Sequence, residues 1–162
     1  MAADTFLQIE KIPGESTDAK HKDWIEVLSY SHGVSQMASA SASTGGGKTT
    51  ARCDHQDFSI VKELDKASPL LNLACCNGEH IPKITLELCL ASGDKQPYMK
   101  YIFEKVIVSS VSIGGGGGGT PTESVTFNYN KINWVYTETD HDTGKKKGEV
   151  KKHWNQADNT GG

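Results

Sequence analysis

Four groups of residues in this 162-residue chain have types and spacings that invite a chemical reading. Ala42 to Thr49, ASTGGGKT, fits a loosened phosphate-loop pattern: a small residue, four positions, then Gly-Lys-Thr. In a nucleotide site such a loop joins a buried strand to a helix, so that backbone N–H groups and the helix end cradle phosphate. Here the preceding VSQMASASAS is no buried strand, and the following TARCDHQDF has no helical period. No apolar strand ending in Asp is present to hold magnesium, so an ATP-binding enzyme built on Lys48 and Thr49 is an outside reading. Cys53-x-His55 and Cys76-x3-His80 come closest to metal-ligand pairs, yet neither has a second pair at metal-site spacing. His55 with Cys53 or Cys75 has the types for a thiol–imidazole nucleophile, but nothing in the sequence brings them together. The many serines include no GxSxG elbow. Lys145, Lys146 and Lys147, with Lys151 and Lys152, form a basic cluster suited to a solvated hairpin or to contact with an acidic partner face. No catalytic constellation, cofactor site or metal site emerges.

The elements that would position these residues are mostly strands. Tyr98 to Ile113, YMKYIFEKVIVSSVSI, has no Pro or Gly and is rich in Ile, Val, Phe and Tyr, which predicts one long strand or two bent ones. Six glycines, Gly114 to Gly119, stop it, because Gly gains most from being unfolded. A strand this long needs neighbours on both sides or its edge would aggregate. That demand points to a β-barrel component completed by copies of itself. Asp4 to Glu10, Asp23 to Tyr30, Asp57 to Lys62 and Val150 to Asn155 read as further strands. Lys83 to Leu90 alternates cleanly and predicts a half-buried strand, with Thr85, Glu87 and Cys89 turned away from the core. Glu123 to Glu138 changes apolar phase near Asn130-Lys131, which predicts a bulge or bend. Ser68-Pro69 reads as a capped helix start and Gly78 as its end. The expectation is seven to nine strands and one helix in a single domain over 1–162: an extended loop over 31–51, a helix over 69–77, a Gly-rich loop over 114–121 and a polar hairpin over 139–149.

Bulk properties bound the function. A hydrophobic share of 36% is ordinary for a globular protein, and no apolar run reaches the ~18 residues of a membrane span, so membrane insertion is not expected. The first residues, MAADTFLQIEKIPGES, have no basic head and no apolar segment, so no signal peptide is expected. Arg52 is the only arginine beside sixteen lysines, which argues against nucleic-acid recognition. Cys53, Cys75, Cys76 and Cys89 include no CxxC pair and suit small, mostly buried thiols in a reducing compartment.

In order along the chain, DTFLQIEKIPGESTDAKHKDWIEVLSYSHGVSQ, FSIVKELDKASPLLNLAC, EKVIVSSVSIGG and ESVTFNYNKINWVYTE resemble the Hcp family, the haemolysin-coregulated tube proteins of type VI secretion systems. The resemblance runs from about Asp4 to Trp154 and is carried most specifically by GES, LDKASP and VIVSSVS. It implies a mainly β fold: a small β-barrel of two packed antiparallel sheets with one short flanking helix. It also implies a homohexameric ring that stacks on other rings into a tube, bears a VgrG spike and is driven out by a contractile sheath. Small effector proteins would ride in the lumen, and the subunit, made in the bacterial cytoplasm, would leave the cell without a signal peptide. Under this resemblance the extended loop contacts neighbouring or stacked subunits through Ser31, His32, Gln36, Lys48, Thr49 and Arg52. Ser29 and Ser31 would face the lumen, and Lys145, Lys146 and Lys147 would form a charge cluster for stacking. The closest alternative is a soluble ring acting chiefly as effector chaperone or secreted binding protein. A metal-dependent protein using Cys53, His55, Cys76 and His80 stands outside that class.

Overall fold

The computed structural model describes residues 3–37, 52–91, 96–140, 142–143 and 145–162. The phosphate-loop-like stretch with Lys48 and Thr49 lies outside them. Among the described residues the chain forms, in order, β1 (Ala3–Ile9), β2 (Ile25–Glu26), β3 (Ser29–Ser31), β4 (Val34–Ser35), β5 (Asp54–His55), β6 (Phe58–Glu63), α1 (Ser68–Asn77), β7 (Ile81–Leu90), β8 (Pro97–Gly114), β9 (Thr122–Asn128), β10 (Lys131–Thr139), β11 (Lys146–Asn155) and β12 (Thr160–Gly161). All pairings are antiparallel.

The long strand organises the fold. The first half of β8 pairs with β7 and β10, and its second half with β9, so one strand belongs to two sheets. The first sheet runs β12-β11-β10-β8-β7-β1-β2, and the second runs β8-β9-β6-β3. Lys105, at φ 54, and a register shift between Val108 and Ser110 make the bend. Opposite that bend, Tyr129 and Asn130 separate β9 from β10, at the phase change the sequence carries. It is a full break that sends two strands to two sheets, not a bulge within one strand.

A second crossing was hidden. The single strand expected over Asp23 to Tyr30 is β2 and β3, because Val27 N–H donates to Thr5 O of the first sheet and Leu28 N–H to Val61 O of the second. Thus the sheets are joined at two corners and fold over one core, which includes Leu7, Ile25, Phe58, Ile84, Phe103, Phe127 and Ile132, all at 1% exposure or less. Helix α1 closes its flank through Leu71 and Ala74. Its N-cap is Ala67, not the expected serine: Ser68 Oγ is engaged with Glu123 and Lys62 instead. Gly78, at φ 64, ends the helix in the left-handed conformation that glycine adopts without strain.

Both faces of β7 are buried, contrary to a half-buried strand. Thr85, Glu87 and Cys89 lie under the 10–24 segment at 7%, 8% and 0% exposure. The two ends of that segment close on each other at Gly14, where an added Cβ would lie 2.5 Å from Trp24 O. Within the 139–149 span, Thr139 ends β10 and Lys146 opens β11, so the connection between the two strands is short. Of the cysteines only Cys89 is buried; Cys53 and Cys75 are partly exposed and Cys76 is exposed.

Candidate functional site: a hydroxyl-lined sheet face and the base of the extended loop

Register decides what each face of the second sheet presents. Ser29 and Ser31 pair with Val61 and Ser59 on β6. Ser59 and Val61 pair with Thr126 and Ser124 on β9, and those with Ser110 and Ser112 on β8. Because side chains alternate across a strand, these residues share the face turned away from the core. The result is a sheet face of small hydroxyls, with Ser29, Ser31, Ser110, Ser112 and Ser124 exposed and Ser59, Val61 and Thr126 half-buried. Hydroxyls bond one another at Thr126: Ser110 Oγ and Thr126 Oγ1 are 2.5 Å apart, and Ser109 Oγ is 2.7 Å from the same Thr126 oxygen. At its border Asp57 accepts from Ser109 at 2.7 Å and from Asn128 at 3.0 Å. Sequence reading named Ser29 and Ser31 and missed the other strands. The signal was present as hydroxyls at every second position in ESVTFN, in phase with Ser59 of FSIV and with VSSVS.

Where the extended loop departs, the structure builds a tyrosine hub. The short ribbon of β4 and β5 pairs Val34 with His55 and Ser35 with Asp54. His32 Nε2 and His55 Nδ1 both meet the hydroxyl of Tyr129, the latter at 3.0 Å. One hydroxyl can donate to one ring nitrogen and accept an N–H from the other, so two neutral imidazoles satisfy the hub. Burial lowers the pKa of His32, and the nearby His55 adds to that; burial also lowers His55, with Asp54 opposing. Burial, followed by the charges of Asp57 and Cys53, pushes Tyr129 upward. Gln36 and Arg52 lie beside the hub, lining with its His55 a hollow of 480 Å³ that also takes in Trp134, His153 and Trp154. So of the loop residues singled out in the sequence, Ser31 and His32 lie at the loop's root and Gln36 and Arg52 on its wall, while Lys48 and Thr49 lie outside the described residues.

The hub gives a pH dependence with a definite sign. Both imidazoles have folded pKa values below 6.5, so their contribution to stability is complete above 6.5 and is lost as pH falls through those lowered values. Denaturant midpoints measured between about pH 7.5 and pH 5 should fall more for the wild type than for the His32→Gln/His55→Gln double variant. Equal slopes would show that the hub does not titrate.

The metal-ligand pairs from the sequence do not converge. His55 belongs to the hub and Cys53 lines the hollow beside it, whereas Cys76 is on α1 and His80 borders a separate hollow beneath it. Among the described residues only His21, Glu87 and Cys89 bring three potential ligand atoms within 4.8 Å of one another. Their spacing is that of an ion pair: His21 Nε2 and Glu87 Oε2 are 2.6 Å apart, closer than the roughly 3.3 Å that two ligands at ~2.0–2.1 Å on a tetrahedral zinc would keep. His21 Nδ1 meets Asp18 Oδ2, also at 2.6 Å.

Comparison with known proteins bears on this geometry. A family model described as "Type VI secretion system effector, Hcp" matches residues 6–136. "Protein hcp1" of Pseudomonas aeruginosa is 40% identical over 157 residues, covering 96% of each chain. The "Major exported protein" of the same organism is 27% identical over 132 residues, covering 76% of this chain and 74% of the relative. A solved "type six secretion system protein" superposes with a TM-score of 0.94 at 34% identity, over 99% of this chain and all of that one.

Proposed function

This chain belongs to the Hcp family of type VI secretion proteins, and from that premise we propose that it is a structural subunit of the secretion tube. Six copies form a ring, and rings stack into a tube carrying a VgrG spike, which a contractile sheath expels. Small effector proteins travel in the lumen, and the subunit is exported with the tube. One observation supports this reading most: the hydroxyl face spanning β3, β6, β9 and β8. A surface of short hydroxyls offers neither large apolar patches nor strong charge, so passing proteins would not be held tightly. It suits a lumen wall. The extended loop with Ser31, His32, Gln36, Lys48, Thr49 and Arg52 is the segment that reaches neighbouring subunits, anchored at its root by Tyr129.

Light scattering after size exclusion should give six times the 17.5 kDa chain mass, with annular particles in negative stain. Arginines at Ser110, Ser112 and Ser124 should leave that mass unchanged and abolish co-purification of small cargo. A stable monomer would overturn the ring reading; normal rings with undiminished cargo would remove this face from the lumen.

A further inference from the structure

We propose that neighbouring copies dock edge to edge, the lysines opening β11 of one copy entering a carboxylate-rimmed notch beside β2 of the next. This inference rests on the ring-subunit reading and specifies which surfaces meet.

The notch is built where the chain crosses between sheets. Leu28, just past β2, is 60% exposed, and Leu64, just past β6, is 37% exposed. They line a hollow of 290 Å³ together with Glu15, Glu26, Glu63 and Asp65. Asp65 is engaged with buried Lys62, but Glu15, Glu26 and Glu63 have no ion-pair partner among the described residues. Two uncovered leucines within a rim of unpaired carboxylates call for a partner that is apolar along its stem and cationic at its tip. Lysine has that form.

The same chain supplies such lysines at the other side. In the strand path β12-β11-β10-β8-β7-β1-β2, the notch lies at the β2 end and Lys145, Lys146 and Lys147 near the opposite end. Lys145 has no ion pair among the described residues. Among the described residues Lys146 and Lys147 pair with Glu149 at 2.7 Å and Glu138 at 3.7 Å, with their own side chains 56% and 64% exposed. Exposed pairs of this kind contribute little and exchange readily. Complementary surfaces on opposite edges make a heterologous contact, which repeats head to tail and gives a ring when the rotation closes. The lysines then serve lateral contact, not stacking.

Charge reversal tests the pairing. One variant carries Lys145→Glu, Lys146→Glu and Lys147→Glu; the other carries Glu15→Lys, Glu26→Lys and Glu63→Lys. Each alone sets like charges against each other and should be monomeric by light scattering where the wild type is a ring. Mixed in equal amounts they should restore the ring, since alternating copies make every contact complementary. The milder variants, with Gln at the same positions, should raise the concentration of half-assembly about tenfold and guard against a reversal that fails to fold. If both reversed variants form rings alone, or the folded monomers fail to combine on mixing, this docking is wrong and the ring reading stands. A monomeric wild type would instead overturn the ring reading itself.

Discussion

Lys62→Met should destabilise the folded subunit by about 3–5 kcal/mol, because it strands a buried carboxylate. Lys62 is 0% exposed and lies on β6 in phase with Phe58 and Ile60, where the core expects an apolar residue. Its ammonium donates to Glu123 Oε1 at 2.5 Å, to Glu63 O at 3.0 Å and to Ser68 Oγ at 3.3 Å, and pairs with Asp65 Oδ1 at 2.8 Å. Ser68 Oγ also donates to Glu123 Oε1, at 2.7 Å. Glu123 Oε2 is buried without a hydrogen-bond partner among the described residues, so the carboxylate relies on one oxygen and on the lysine charge. Removing the cation leaves it uncompensated. The network ties β6, β9 and the start of α1 at one point, so the loss should appear as a lower midpoint of cooperative unfolding.

The double variant Lys62→Met/Glu123→Leu separates charge from packing. With both charges gone the desolvation cost goes too, and stability should return to within about 1–2 kcal/mol of the wild type. A double variant as unstable as the single one would mean that the site's value lies in the remaining partners of Lys62: its hydrogen bonds to Ser68 and the backbone and its pairing with Asp65. Against a typical total of about 5–15 kcal/mol, the single change alone brings a subunit close to unfolding.

How much of this could be read from the chain depends on whether the cause was local. The strands were legible because alternation is a property of neighbouring residues, and the long β8 was visible from its composition alone. The phase change near Asn130 was legible for the same reason, though its consequence, two strands in two sheets, depends on β9 pairing with distant β6 and β10 with the first half of β8. The crossing at Val27–Leu28 left no such trace, since it is set by acceptors on Thr5 and Val61. Ser68 looked like a cap because capping is a local rule, whereas its partner Glu123 is 55 residues away. A signal for the buried pair did exist: Lys62 follows Phe58 and Ile60 in core phase, and Glu123 precedes Val125 and Phe127 in core phase. Charges in core phase on two strands ask for each other. The hydroxyl face was half legible, through Ser29 and Ser31, because its remaining members needed the register to align them.

His21→Ala should cost a comparable ~3–5 kcal/mol, in a part of the molecule where the sequence offered only one histidine among six. The imidazole is 2% exposed and lies between Asp18 and Glu87, 2.6 Å from each. Carboxylates only accept hydrogen bonds, so an imidazolium, which donates at both nitrogens, matches the pair. The ring also stacks on Phe6 at 4.3 Å and meets Trp24 edge-on at 4.7 Å, adding contacts that alanine forfeits. Lys100, 3.1 Å from Glu87, would remain but approaches its other oxygen from the solvent side, 36% exposed. The 10–24 segment that covers the outer face of β7 should then loosen, exposing Cys89. Thiol labelling of Cys89 therefore distinguishes a local opening from global unfolding. Labelling in His21→Ala should exceed wild type under conditions where Phe103 and the rest of the core remain folded. His21→Gln, which donates one hydrogen bond but carries no charge, should fall between the two. If His21→Gln matches the wild type, the histidine acts there by shape and a single hydrogen bond, and its charge adds nothing.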